Sequence, residues 1–223
     1  GGQMNLACKP PFKQHLGLMK PYLERQLELH KVNVHLGKKV TKEDILAMKP
    51  DAVVCATGVI NNRLPVEGAE RAINAVDILD GAQSGKNVVV IGGGSIGCET
   101  AEFPAKQGKK VSIIEMTDTF AGNTGKTAQT ILLGHLKGNG VKLLPESIVE
   151  KITATEVVYK SKDGKTNSVR ADTVVLAIGN RPDTSLYDSL RDEIPEIYNI
   201  GDSNGGGIIP NAVYEGYTVG NKI

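Results

Sequence analysis

Three glycines and two acids are the residues of this chain whose types and spacing could do chemistry. Gly92, Gly94 and Gly97 stand at G-x-G-x-x-G spacing directly after Val88-Val89-Val90-Ile91, and Glu115 follows eighteen positions after Gly97. A glycine at the first position permits a tight turn. A glycine at the second lets a backbone approach a diphosphate, and one at the third lets a helix pack closely on a strand. Backbone N–H groups exposed at the helix start, with Ser95 and Ile96 in its first turn, attract anions through the helix dipole. An acid about twenty residues on accepts hydrogen bonds from ribose hydroxyls. Glycine-rich turns are common, so the spacing alone is a weak signal. Strand, glycines, helix, strand and acid in this order point to a dinucleotide site. Glu115 repels a 2′-phosphate, Asp118 adds negative charge, and Met116 to Ala121 holds no Lys or Arg. NADH is therefore expected over NADPH, with Lys126 or another distant base as the open alternative.

The elements that must position these residues follow from periodicity. Four β-branched residues in a row predict a strand buried on both faces. Ile96, Thr100, Phe103 and Gln107 fall on one helical face that ends at Gly108. Pro104 lies inside that helix, where proline costs about 3 kcal/mol and is expected to bend the axis. Val111 to Ile114 makes the next strand, Thr127 to Lys137 a helix, and Val141 to Leu144 a strand. Val157–Lys160 and Ser168–Arg170 flank Asp163-Gly164 as a hairpin or meander. Asp172 to Gly179 predicts a further buried strand.

Outside this stretch, Pro10 to Leu29 has helical spacing with a break expected at Pro21. Val32 to Leu36 alternates like a short strand. Thr41 to Asp44 resembles a capped helix start. Ala52 to Gly58 predicts a buried strand closing in a glycine turn, and Ala75 to Gly81 a short helix. Ile197 to Asp202 predicts a strand presenting Asp202 at its end, followed by a helix near Asn211.

Composition bounds the function classes. Among 223 residues, 26 Lys and Arg nearly balance 25 Asp and Glu, so no global field points to nucleic acid or a membrane. No apolar run reaches the length that spans a bilayer. The first residues lack the charged lead of a signal peptide. Cys8, Cys55 and Cys98 form no C-x-x-C pair and no zinc spacing, and are expected to be small buried side chains in a reducing cytoplasm. His15, His30, His35 and His135 are scattered without partners. No metal site is expected, and no residue is singled out as catalytic.

With these pieces in order, the chain resembles the two-dinucleotide-binding-domain flavoproteins. The match is closest to the C-terminal part of the trimethylamine dehydrogenase, 2,4-dienoyl-CoA reductase and 2-enoate reductase family. The residues carrying the resemblance are Gly1-Gly2-Gln3, Ala56-Thr57-Gly58, Gly92 to Glu99 with Ala101-Glu102-Phe103, Ala177-Ile178-Gly179 and Ile200-Gly201-Asp202. It implies an α/β fold. A Rossmann-like NAD(P)-binding domain with a parallel sheet and a β-meander, residues 73–180, is inserted into a truncated FAD-binding-like α/β domain, residues 1–72 and 181–223. It further implies that Gly1, Gly2, Thr57, Gly58, Gly201 and Asp202 lie on the flavin side. Asp202 would be the acid on the ribityl hydroxyls, and Glu99 the acid beside the nicotinamide carboxamide. Each keeps a plainer alternative: Asp202 a turn-forming residue, Glu99 a solvated helix residue, Thr57 a strand-ending turn.

The family's first glycine motif, for the flavin-side diphosphate, is expected upstream of Gly1. So is a barrel domain with FMN and an iron–sulfur cluster, for which this chain has no cysteine cluster. The chain is thus expected to be part of a larger polypeptide, weak in FAD binding by itself. It would take hydride from NADH to a flavin for reduction of an unsaturated substrate. A single-flavin NADH oxidase or disulfide reductase, and a non-catalytic ADP- or NAD-binding module, are the competing functions.

Overall fold

A computed structural model describes residues 2–205 and 207–223. In chain order the helices and strands are α1 (Gly2–Ala7), α2 (Met19–Leu29), α3 (Lys42–Met48), β1 (Val53–Cys55), β2 (Val59–Asn61), β3 (Ile73–Asn74), α4 (Ala75–Leu79), β4 (Asn87–Ile91), α5 (Ser95–Lys106), β5 (Lys110–Ile114), α6 (Lys126–Gly138), β6 (Lys142–Leu144), β7 (Ile148–Ile152), β8 (Glu156–Lys160), β9 (Thr166–Arg170), β10 (Thr173–Leu176), β11 (Asn180–Pro182), α7 (Ser185–Leu190), β12 (Ile197–Asn199) and α8 (Ile209–Gly220). They form two compact units. One takes the described residues up to Pro21 with Asn62–Gly179, the other Tyr22–Asn61 with Asn180–Ile223. Among the described residues no helix is long and apolar enough to cross a membrane.

The first unit is built on a five-stranded sheet in the order β3-β10-β4-β5-β6, every pair parallel. The apolar run of β4 is explained by its two covered faces. Val88 and Val90 pack with Cys98, Ala101 and Ala105 of α5 and with Leu132 and Leu136 of α6. Val89 and Ile91 face the other way, against Ile152, Val157 and Tyr159 of the antiparallel meander β7-β8-β9. Period-2 alternation thus sends neighbouring residues into two different cores.

Of the helical face expected for α5, Thr100 is buried and Phe103 packs against the core, whereas the two ends of the face lie outside it. Ile96 is 45% exposed and Gln107 is exposed, whereas Gly97, Cys98, Ala101 and Ala105 are buried. Small residues face β4 because the helix lies too close to it for large ones. The helix runs past Pro104 to Lys106. It closes in a left-handed turn at Gly108 (φ +76°), with Gly108 N–H donating to Ala105 O and Lys109 N–H to Pro104 O. This pair of bonds is the Schellman closure, and Pro104 stands in the last turn before it, so the i→i−4 bond that its missing N–H forfeits is lost near the helix end.

In the second unit β1 and β12 pair in parallel and β2 and β11 antiparallel. Val53, Cys55, Leu190 and Ile194 are buried against Ile45, Leu46 and Leu186. Helix α3 begins with a capping box: Asp44 N–H donates to Thr41 Oγ1, and Thr41 N–H to the Asp44 carboxylate.

Four local expectations are corrected. Helix α2 starts only at Met19, after a 3-10 turn over Gln14–Leu18, so Pro21 lies in its first turn, where an N–H has no intrahelical partner to lose. Val32 to Leu36 is exposed and forms no strand, because no strand of the described sheets lies beside it to complete a ladder. Asp202 lies not at the end of β12 but in a 3-10 turn, Gly201–Asn204. Cys55 and Cys98 are buried, but Cys8 is only half-buried, its Sγ 3.4 Å from Asn5 O.

Candidate functional site

The carboxyl ends of β4 and β10 lie side by side, with Leu176 in register with Ile91 and Ala177 N–H donating to Ile91 O. From β4 the chain continues to one side through α5 and β5. It returns to β10 on the other, which makes the crevice beyond these ends a topological switch point, the usual ligand position of an open α/β sheet.

The glycine turn is built by volume. A Cβ on Gly92, at φ +105°, would stand 2.4 Å from Ala177 O, and one on Gly97 would stand 2.0 Å from Gly92 O. Neither position has room for a side chain. At Gly94 the nearest atom to an added Cβ is Asn123 Oδ1, 3.9 Å away, so this glycine leaves open space above the turn. Gly94 is the N-cap of α5 and supplies no capping side chain. Apart from Ser95 N–H, which donates to Asn123 Oδ1, the helix presents its first-turn N–H groups and its positive pole to the crevice.

A loop from β5 to α6 holds the turn from the other side. Glu115 Oε2 accepts from Gly93 N–H at 2.5 Å, while Oε1 accepts from Thr117 N–H at 2.8 Å and Thr117 Oγ1 at 3.0 Å. Ala121 N–H donates to Gly93 O at 2.7 Å. Phe120 is buried over Gly93, where a Cβ would meet its ring at 2.7 Å. Asn123 Oδ1 accepts from Ser95 N–H at 2.9 Å, and its Nδ2 donates to Ser95 Oγ at 3.0 Å. Ile96 points outward from the same helical turn. One turn further on, Glu99 is mostly covered and accepts a hydrogen bond from Lys13 Nζ. Beneath the turn, Cys98 places Sγ 3.3 Å from Gly93 O, and burial pushes its thiol pKa up to about 12.

Gly179, at φ +79°, lies three residues beyond β10, and its carbonyl accepts from Asn62 N–H at 3.2 Å. The structure thus brings Gly92, Gly94, Ser95, Ile96, Gly97, Glu99, Glu115 and Gly179 to one edge of one sheet. The remaining expected site residues are elsewhere. Gly1 lies outside the described residues, and Gly2 opens α1. In the second unit, Thr57 Oγ1 donates to Asp183 O at 2.6 Å, and Asp183 N–H donates to Gly58 O at 2.9 Å. Gly201 N–H donates to Glu215 Oε2 at 2.6 Å, and Asp202 Oδ1 accepts from Gly207 N–H at 3.1 Å. Lys13, Asn123 and Phe120 escaped the sequence reading, since each reaches the turn alone from a segment without periodicity. Gly93 alone carried a signal, as the fourth glycine-like position in an unusually dense turn.

Among the described residues no group of His, Cys, Asp and Glu could hold a metal. The donor set, backbone N–H groups facing an open glycine with a carboxylate beside them, suits the diphosphate and ribose of a dinucleotide.

Comparison with known proteins agrees with this geometry. The chain is 38% identical to a bilirubin reductase of Mediterraneibacter gnavus (strain CC55_001C), across 100% of its own length and 35% of that protein. It is 34% identical to an NADH oxidase of Thermoanaerobacter brockii, across 98% of itself and 35% of the other. A solved 2-naphthoyl-CoA reductase in complex with 2-naphthoyl-CoA superposes over 100% of this chain and 34% of its own, at a TM-score of 0.93 and 30% identity. The chain spans about a third of the length of these relatives. The resemblance to the trimethylamine dehydrogenase and enoate reductase group holds, and the fold is the one these neighbours share. A family pattern matches residues 19–216, and the chain belongs to the pyridine nucleotide-disulphide oxidoreductases.

Proposed function

We propose that this chain is the NADH-binding, electron-entry part of a larger flavoenzyme of the enoate reductase type. Residues 73–180 form the NAD(P)-binding domain. Residues 1–72 and 181–223 contribute the flavin side, and Gly1, Gly2, Thr57, Gly58, Gly201 and Asp202 serve there, a reading that the family resemblance supports. The observation that carries the proposal is the open face of Gly94 beside an acid already fixed in place.

First-turn N–H groups of α5 hold the diphosphate. Glu115 is locked by Gly93 and Thr117, so the lone pair left on its Oε2 is aimed before the ribose arrives, and little side-chain entropy remains to be lost. Lys13 fixes the carboxylate of Glu99, which in the family position lies beside the nicotinamide carboxamide. NAD(H), when bound, would supply a hydride for a flavin acceptor. The polypeptide contributes orientation and electrostatics. Reduction of an unsaturated substrate takes place in a barrel domain carrying FMN and an iron–sulfur cluster, which fits the chain's one-third share of its relatives.

Calorimetric titration with NADH and NADPH, on the parent and on Glu115→Ala, tests this. Tighter binding of NADH, with the preference lost in Glu115→Ala, is expected. Equal binding of both nucleotides by the parent would refute the role given to Glu115.

A further inference from the structure

The ribose end of the crevice contains a base that its local sequence does not reveal. Residues 116–121 hold no Lys or Arg, but the meander carries one to them. Lys162, in the turn between β8 and β9, places Nζ 2.6 Å from Glu146 Oε1. Glu146 N–H in turn donates to Thr117 O at 2.9 Å, and Thr117 is the residue that clamps Glu115. The ammonium is therefore three residue contacts from the acid that meets the ribose. Its neighbour in the turn, Asp163, is occupied with Lys165 and Ser161. The hydrogen bond that Lys162 donates to Glu146, then the charge of Glu146 and that of Asp118, hold the Lys162 pKa above the usual lysine range, so the base stays charged but is matched by carboxylates.

We propose that Glu146 is a specificity-determining residue: it sequesters Lys162 and so denies a 2′-phosphorylated nucleotide a cation that the meander brings to this edge. The inference rests on the dinucleotide reading above and deepens it. A 2′-phosphate carries close to two negative charges and needs a donor cation to offset Glu115 and Asp118. Lys162 is mostly exposed (side chain 74%) and long enough to swing, so the contact with Glu146 decides where its charge is spent. Nucleotide choice is thus set by three carboxylates and a held lysine rather than by Glu115 alone.

The test uses the full chain at low ionic strength, where exposed charges are least screened. NADH and NADPH affinities are compared for the parent, Glu115→Ser, Glu115→Ser with Glu146→Gln, and that pair with Lys162→Met. Glu115→Ser alone is expected to weaken NADH. Adding Glu146→Gln is expected to tighten NADPH about tenfold by freeing a charge-assisted contact, and adding Lys162→Met to abolish that gain. An unchanged NADPH affinity on adding Glu146→Gln, or a gain that survives Lys162→Met, overturns the proposal while leaving the dinucleotide site intact. Failure of the parent to bind either nucleotide overturns both.

Discussion

Gly94 and Gly97 are three residues apart in one turn, yet the structure gives their replacement by alanine opposite consequences. A Cβ on Gly97 would lie 2.0 Å from Gly92 O, 3.0 Å from Gly92 C and 3.3 Å from Ala177 Cβ. The two nearest atoms are backbone, so no side chain can turn aside. To reach ordinary contact, near 3.4 Å, helix and turn must part by more than an ångström. But α5 is packed on β4, β5 and α6 through Cys98, Ala101 and Ala105, and parting would open that core. Overpacking of this kind costs roughly 1–3 kcal/mol and sometimes more; with a backbone obstruction, about 3 kcal/mol is expected. For a chain of this size that lowers Tm by roughly 6–12 °C. Gly94 differs: its φ of −63° and ψ of −179° suit alanine, and the nearest atom is 3.9 Å away. Gly94→Ala is therefore expected to lose less than about 1 kcal/mol, the scale of an N-cap change. Its methyl group would stand in the space given to the diphosphate and weaken NADH by about tenfold or more, some 1.4 kcal/mol. Scanning calorimetry with and without NADH separates the two. Similar melting temperatures for the two variants, or full NADH affinity in Gly94→Ala, would refute the assignment of packing to one glycine and ligand space to the other.

Three further outcomes follow from particular contacts. Cys98, buried with its thiol near pKa 12, should resist a thiol reagent at pH 8 until the protein unfolds, while half-buried Cys8 reacts first; mass spectrometry of the labelled native protein shows which thiol was modified. The side chain and N–H of Asn87 hold the Asp172 carboxyl below the usual range, so its stabilisation is complete above the unfolded value of about 3.9 and is lost as pH falls through the lower folded value. Asp172→Asn should flatten urea-measured stability against pH below 4, and an unchanged slope would count against it. Thr41→Ala removes the oxygen that accepts Asp44 N–H and should destabilise the second unit by about 1 kcal/mol in urea unfolding, with Thr41→Ser recovering most of the loss.

The parts of the fold that could be read from the sequence are those fixed by repeated constraint. Val88 to Ile91 is apolar at every position because each face of β4 meets a different core. The three glycines could be read because their spacing encodes distances between backbones, at 2.4 Å and 2.0 Å from obstruction. Glu115 was accessible because it ends the very next strand. What could not be read depends on single long-range contacts. Nothing in the order of residues says that Asn123 caps Ser95, that Lys13 reaches Glu99, or that Lys162 is delivered to Glu146 by a hairpin turn. Alternation at Val32 to Leu36 misled for a related reason, since a strand needs a partner and local pattern does not supply one. Ile96 and Gln107 misled because they lie at the two ends of the helix, outside the span that packs on the sheet through Cys98, Ala101 and Ala105.

These two classes divide the work of the site. Backbone volume and strand order make a cradle that any dinucleotide could enter, and both are written locally. Discrimination between dinucleotides falls to side chains arriving from loops, whose positions depend on the completed fold. On the proposed reading, a residue such as Glu146 changes nucleotide preference in this chain without appearing in any motif, because the meander delivers its partner Lys162. Substitution of Glu146 or Lys162 should alter the balance between the two nucleotides while leaving the cradle, and hence the melting temperature of the first unit, nearly unchanged.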